Sequence, residues 1–206
     1  MSNEQDTTVN AGLEQAIQDA REELAHPEDL DLSHAVCHTR PKVVLVGPPG
    51  AGKSTIARRL ARALSLPLVD SDRLIEEEAG KSCGEVFTEL GEPAFRELEA
   101  RHVATALATG GIVSLGGGAV LTESTRQLLT QHDVVWIDVS VEEGVRRTSG
   151  ESSRPVLAAE DPAAHYRTLL ETRAPLYRAV AGYRVRTDGR TPQQVVADVL
   201  GYLDTL

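Results

Sequence analysis

The chain lacks a cysteine framework. Only two of its 206 residues are cysteines, Cys37 and Cys83, set far apart and without metal-ligand spacing. That excludes a disulfide-stapled fold and a cysteine-held metal, and it fits a reducing cytoplasm. No run approaches the ~18 consecutive apolar residues of a membrane helix, so no membrane partner is predicted. The opening residues, MSNEQDTT, have neither a basic stretch nor an apolar core, and they are too acidic for an organelle transit peptide. Internal repeats and low-complexity tracts are lacking. So is a basic stripe, which argues against nucleic acid as a partner. The formal charge is −10, and residues 1–40 alone account for −7, with nine acids against Arg21 and Arg40. The remaining 166 residues, with 22 acids and 19 bases, are close to neutral.

What is present is ordinary for a globular protein: 41% hydrophobic and 25% charged residues, enough for one α/β domain with a core, plus a tail. Residues 1–40 read as the tail. Within them Ala11 to Ala25 could form a short helix, but its apolar stripe is thin and its flanks are acidic.

One stretch organises the rest. Gly47-Pro48-Pro49-Gly50-Ala51-Gly52-Lys53-Ser54-Thr55 follows an apolar run, Lys42 to Val46, and precedes an amphipathic one, Ile56 to Leu66. Strand, glycine-rich turn and helix in that order form the setting of a phosphate-binding loop. Small residues let backbone N–H groups surround a phosphate, and the helix start adds partial positive charge. Lys53 can reach the outer phosphates, and the Ser54 hydroxyl can ligate Mg²⁺. The stretch implies a nucleoside triphosphate without naming an acceptor.

From Pro41 onward strands and helices alternate, the pattern of a parallel sheet covered on both faces. Strands are expected near 42–46, 66–69, 111–115, 134–139 and 183–187. Helices are expected at 56–66, 73–79, 83–90, 93–109 (broken from the last near Gly91), 122–131 and 141–148. A further helix over 162–181 is interrupted at Pro175, and a final one over 191–203 is capped by Thr191 with Pro192 in its first turn. Residues 149–161 read as a polar loop.

Ligands of such sheets gather at the carboxyl ends of the strands. There the second strand delivers Asp70-Ser71-Asp72, and the third delivers Gly116-Gly117-Gly118. One of the two carboxylates could support a Mg²⁺ shell while the other meets an acceptor hydroxyl. The same three residues also read as a helix cap. The glycine triplet suits close approach of backbone to a ligand. Asp138, closing the apolar strand Val134 to Ile137, is a competing Mg²⁺ candidate, and strand alternation alone leaves the choice open. For an anionic acceptor the candidate arginines are Arg96, Arg146, Arg147, Arg154 and Arg173, because a guanidinium fork matches a carboxylate.

Taken together, GPPGAGKST at 47–55, VDSD at 69–72, GEPAFRELE at 91–99, SLGGGAV at 114–120, RP at 154–155 and RAPLYR at 173–178 make residues 41–206 resemble the shikimate kinase family, a P-loop group similar to nucleoside-monophosphate kinases. The resemblance covers about four-fifths of the chain and leaves out the acidic extension, residues 1–40. It implies a three-layer α/β P-loop kinase fold, a five-stranded parallel sheet flanked by helices, with a mobile lid at about 149–161. It implies transfer of a phosphoryl group from ATP, with Mg²⁺, to the 3-hydroxyl of shikimate in a cytoplasmic enzyme of aromatic amino-acid biosynthesis; the small size and near-neutral body permit a monomer.

The same resemblance assigns residues. Lys53, Asp72 and Arg154 are the catalytic set. Gly50, Ala51, Gly52, Lys53, Ser54 and Thr55 hold ATP, together with Arg154 on the transferring phosphate and Arg147 and Pro192 at the adenine. Asp72, Arg96, Gly117, Gly118 and Arg173 hold shikimate. Ser54 and Asp70 serve the metal, which resolves the choice against Asp138. Phe87, Phe95, Glu99 and Pro155 line the acceptor pocket. Cys83 stands where the family usually carries an aliphatic residue, and a free thiol there suggests sensitivity to thiol reagents. Two other readings remain at this level: a kinase for gluconate or a nucleoside monophosphate on the same fold, and a non-catalytic nucleotide-binding module.

Overall fold

The computed structural model describes residues 40–149 and 161–206. The 1–40 extension, apart from Arg40, lies outside these, as does the expected lid with Arg154 and Pro155, apart from Ser149 and Asp161.

Five strands form one parallel sheet in the order β2-β3-β1-β4-β5: β1 Pro41–Val46, β2 Leu68–Asp70, β3 Gly111–Ser114, β4 Val134–Asp138 and β5 Tyr183–Arg186. The helices among the described residues are α1 Lys53–Leu64, α2 Ser71–Ala79, α3 Cys83–Leu107, α4 Glu123–Leu129, α5 Val141–Thr148, α6 Pro162–Val180 and α7 Pro192–Leu203.

The continuous apolar runs of β1 and β4 follow from burial on both faces. Val43, Leu45, Val135 and Ile137 pack with Ile56 and Leu60 of α1 and with Val195 and Val199 of α7. Their alternating neighbours Val44, Val46, Val134 and Trp136 pack on the other side with Val103 and Leu107 of α3 and with Tyr177 of α6. A smaller cluster, Ile75, Val86, Phe95 and Leu98, joins α2 to both halves of α3.

Helix starts follow side-chain caps. Ser82 and Glu85 form a capping box at α3, with Ser82 N–H donating to Glu85 Oε2 at 2.9 Å. Thr191 and Gln194 repeat it at α7, with Thr191 N–H donating to Gln194 Oε1 at 2.9 Å. The break expected near Gly91 is there: this residue has φ 73° and ψ 165° and divides α3 into two segments.

Two local expectations are corrected. A 3₁₀ turn, Ala119–Leu121, precedes α4, which is shorter than 122–131. In addition α6 runs unbroken through Pro175. A proline inside a helix removes one backbone hydrogen bond and crowds the preceding turn. Tyr166, Leu169 and Tyr177 are buried along α6 on both sides of the proline, and their packing holds the helix together.

With β1 central, the connection after β1 leads towards β2 and the one after β3 leads towards β4, in the opposite direction. The crevice between β1 and β3, at their carboxyl ends, is therefore the switch point where ligands of open α/β sheets bind.

Candidate active site

The phosphate loop, 47–52, joins β1 to α1. Gly50 has φ 72°, and a Cβ there would lie 2.9 Å from Thr148 Cγ2 and 3.0 Å from the Gly144 carbonyl. Gly52, at φ 93°, is the N-cap of α1 and supplies no side-chain cap; the first turn carries no acidic residue. The turn is thus built for an anion. Lys53 is buried and folds back into the loop, with Nζ donating to the carbonyls of Gly47 (2.8 Å) and Pro48 (3.1 Å).

Across the loop lies the end of β2. Asp70 serves both readings of its motif. Its Oδ1 accepts the Asp72 N–H at 3.1 Å, capping α2, while its Oδ2 accepts from the Ser54 hydroxyl at 3.3 Å. The buried Ser71 hydroxyl accepts the Gly116 N–H at 2.9 Å and so ties β2 to the glycine triplet after β3. A Cβ on Gly116 would run into the Asp72 carboxylate and come within 2.9 Å of Glu99 Oε1. Glycine is required here because the acidic groups crowd against the backbone.

Asp72, Arg96, Gly117, Gly118 and Arg173 all line one cavity of about 600 Å³, together with Asp70 and Ser54. The two expected clamp arginines come from distant parts of the chain. Arg96, on α3, lies over the Phe87 and Phe95 rings at 5.9 and 5.5 Å and bonds Glu99 Oε2 at 2.7 Å and Glu92 Oε1 at 3.2 Å. Glu99 is buried, and burial pushes its carboxyl above the usual range against the opposing pull of Arg96. Arg173, on α6, donates to the Gly117 carbonyl at 3.0 Å. Gly118 lies so close under the Arg96 guanidinium that a Cβ would stand 2.8 Å from Nη2.

A second cavity, of about 540 Å³, flanks the other side of the phosphate loop and is lined by Gly52, Thr55, Arg147 and Pro192 among others. Arg147 is held by several groups. Its Nε donates to Glu143 Oε1 (2.7 Å), and its Nη1 to the Thr187 hydroxyl (3.0 Å) and the Gly50 carbonyl (3.3 Å). Hydrogen bonds from Arg146, then Arg147, hold the Glu143 carboxyl down at about 2.

Asp138 is engaged elsewhere: Arg184 on β5 grips its Oδ2 through Nη2 (2.7 Å) and Nε (3.1 Å). The surroundings of Cys83 oppose the reactivity expected of it. Its thiol lines the 600 Å³ cavity and donates to the Asp72 carbonyl at 3.3 Å. Burial, then the charges of Asp72 and Glu76, push it far above the usual thiol range. Too little thiolate remains for ready attack on a reagent.

Sequence reasoning gave no role to Tyr166 or to Tyr177, although the latter lies within RAPLYR at 173–178. Both are fully buried on α6. The Tyr166 hydroxyl donates to the Pro49 carbonyl of the phosphate loop, and the Tyr177 hydroxyl to the Gly117 carbonyl of the triplet, each at 2.6 Å. Burial raises both phenols well above the usual tyrosine range, so both remain donors. The available signal was the spacing of two tyrosines along one helix. Arg58, Arg73 and Glu76, also on the wall of the 600 Å³ cavity, were missed because nothing in the sequence separates them from solvated helix residues.

Comparison with known proteins follows the same line. The family model described as shikimate kinase matches residues 49–204. A shikimate kinase of Corynebacterium efficiens is 74% identical over 165 residues, covering 80% of this chain and 98% of the relative. One from Corynebacterium glutamicum is 71% identical over 164 residues, covering 80% and 97%. Among solved structures, shikimate kinase from Acinetobacter baumannii in complex with shikimate matches with a TM-score of 0.77 at 34% identity, over 82% of this chain and 95% of that one.

Proposed function

The chain belongs to the shikimate kinase family, and we propose how its residues perform the family's reaction, transfer of a phosphoryl group from ATP to the 3-hydroxyl of shikimate to give shikimate 3-phosphate and ADP. The observation that carries the reading is the convergence of Asp72, Arg96 and Arg173 on one cavity that also reaches Ser54 of the phosphate loop.

Arg96 and Arg173 clamp the shikimate carboxylate, and Gly117 and Gly118 admit its ring against bare backbone. The clamp fixes which hydroxyl faces ATP. Asp72 orients that hydroxyl. A loose phosphoryl-transfer transition state requires little early deprotonation, so positioning matters more than base strength. Gly50, Ala51, Gly52, Lys53, Ser54 and Thr55 receive the phosphates, while Arg147 and Pro192 flank the adenine. Lys53 and Arg154, the latter in the 149–161 lid, stabilise charge on the moving group. The lid excludes water that would otherwise hydrolyse ATP.

Mg²⁺ fits the residues present. Ser54 Oγ and Asp70 Oδ2 are hard oxygens 3.3 Å apart on the cavity wall. Among the described residues no group of three or more His, Cys, Asp or Glu could cage a metal, which suits an ion that keeps waters and phosphate oxygens as ligands. When bound, Mg²⁺ neutralises phosphate charge. The catalytic body begins near Pro41. We place the enzyme in the cytoplasm as a monomer without nucleic-acid or membrane partners; its near-neutral body is consistent with that, and no helix among the described residues is long and apolar enough to cross a membrane.

A coupled ADP-release assay with ATP and Mg²⁺ tests the reading against shikimate, gluconate, AMP and CMP. Release with shikimate alone is expected. Release with gluconate or a nucleotide keeps the phosphate loop and overturns the roles of Arg96, Arg173 and the triplet. ATP binding without turnover for any acceptor favours a nucleotide-binding module.

A further inference from the structure

The mechanism leaves the hydroxyls of two fully buried tyrosines without a task. A phenylalanine would fill either site in α6 without bringing a polar atom that must be satisfied. Instead Tyr166 and Tyr177, about three helical turns apart, each donate to the carbonyl of a different ligand loop at 2.6 Å. The Gly117 carbonyl also accepts from Arg173.

A peptide unit is planar, and no cis peptide occurs among the described residues. The carbonyl and the following N–H therefore point in opposite directions. Drawing the Pro49 carbonyl towards Tyr166, which packs in the core, turns the Gly50 N–H away from the core, to the side where the loop receives phosphate. Drawing the Gly117 carbonyl towards α6 turns the Gly118 N–H the other way, and Gly118 lines the acceptor cavity. The residue completing each peptide is a glycine, whose backbone reorients at low cost. An unanchored peptide could turn its carbonyl towards the anion.

We propose that Tyr166 and Tyr177 are paired positioning residues, one for each substrate: α6 holds the Pro49–Gly50 peptide for the nucleotide and the Gly117–Gly118 peptide for the acceptor. The inference rests on the phosphotransfer reading above. The two loops touch, since a Cβ on Gly117 would lie 3.1 Å from Pro49 Cδ. Separate effects on the two substrates are therefore a demanding expectation.

The test compares wild type, Tyr166→Phe and Tyr177→Phe in KM for ATP and shikimate, in calorimetric Kd for each, and in Tm. Tyr166→Phe raises KM and Kd for ATP roughly three- to tenfold, the scale of one hydrogen bond, and leaves shikimate binding unchanged. Tyr177→Phe does the reverse with smaller amplitude, because Arg173 still holds the carbonyl. Equal weakening of both substrates, or a lower Tm with both affinities intact, overturns the inference and leaves the tyrosines a structural role only. Wild type without shikimate-dependent ADP release overturns the phosphotransfer reading, while the ATP titration still decides the role of Tyr166. If a variant does not fold, amide resonances of the wild type decide: ADP must shift the Gly50 N–H and shikimate the Gly118 N–H, and silence from either overturns its assignment.

Discussion

At the scale of the residue, three substitutions separate the assigned roles. Arg173→Ala leaves a bound carboxylate short of a cationic partner and should cost about 2–4 kcal/mol of acceptor binding, roughly 30- to 1000-fold in shikimate Kd; a wild-type value would remove Arg173 from the clamp. Asp70→Asn should collapse turnover, whereas Asp138→Asn should lower the urea midpoint and leave KM for ATP unchanged, because Asp70 meets the Ser54 hydroxyl while the Asp138 carboxylate is held by Arg184. Steady-state kinetics on the two variants decides between them. Cys83 should alkylate with iodoacetamide no faster than an ordinary buried thiol even at pH 8, measured by mass; its raised pKa leaves little thiolate. The residues legible in the sequence were those whose chemistry is tied to a local pattern, such as Lys53 after its glycines or Asp70 before a helix. Tyr166 and Tyr177 were hidden, since their partners stand 117 and 60 positions away.

At the scale of the element, helix starts were legible because a cap is a short-range signal. Thr191→Ala should therefore cost about 1 kcal/mol of stability, read as a lower urea midpoint with an unchanged m-value. The three-residue turn at Ala119–Leu121 was too short to leave a periodicity. The continuity of α6 through Pro175 could not be read locally, because burial of Tyr166 and Tyr177 on either side overrides the proline. The side chain of Pro175 is exposed. Pro175→Ala should raise stability by about 1–3 kcal/mol by restoring a backbone donor and relieving crowding in the turn before it. A lower midpoint would mean that Tyr177 needs the bend a proline imposes.

For the whole molecule, the alternation of strands and helices gave the class of fold, while the strand order β2-β3-β1-β4-β5 depends on pairings between distant segments. That order brings the carboxyl ends of β1, β2 and β3 together, so motifs scattered from 47 to 118 meet at one crevice. Acid stability is likewise a property of the whole. The Glu143 carboxyl is depressed to about 2 by Arg146 and Arg147. Its contribution to folding is present above the ordinary glutamate range and is lost as pH falls through about 2. Burial shifts Glu99 the other way, so its contribution is greatest below the ordinary range and declines as pH rises through the raised value. Urea midpoints between pH 2 and 7 should show that Glu143→Gln destabilises at neutral pH and flattens the acid limb. Glu99→Gln should remove the decline with rising pH. The chain has a single tryptophan, Trp136, buried in β4. Its ring lies 5.7 Å from that of Tyr177 and carries the Arg184 guanidinium 4.4 Å above it. The protein thus contains its own optical reporter: emission excited at the red edge comes from one indole, one ring away from the hydroxyl that bonds the Gly117 carbonyl, and if the proposed acceptor site is right, arrival of shikimate should change its intensity without any added label.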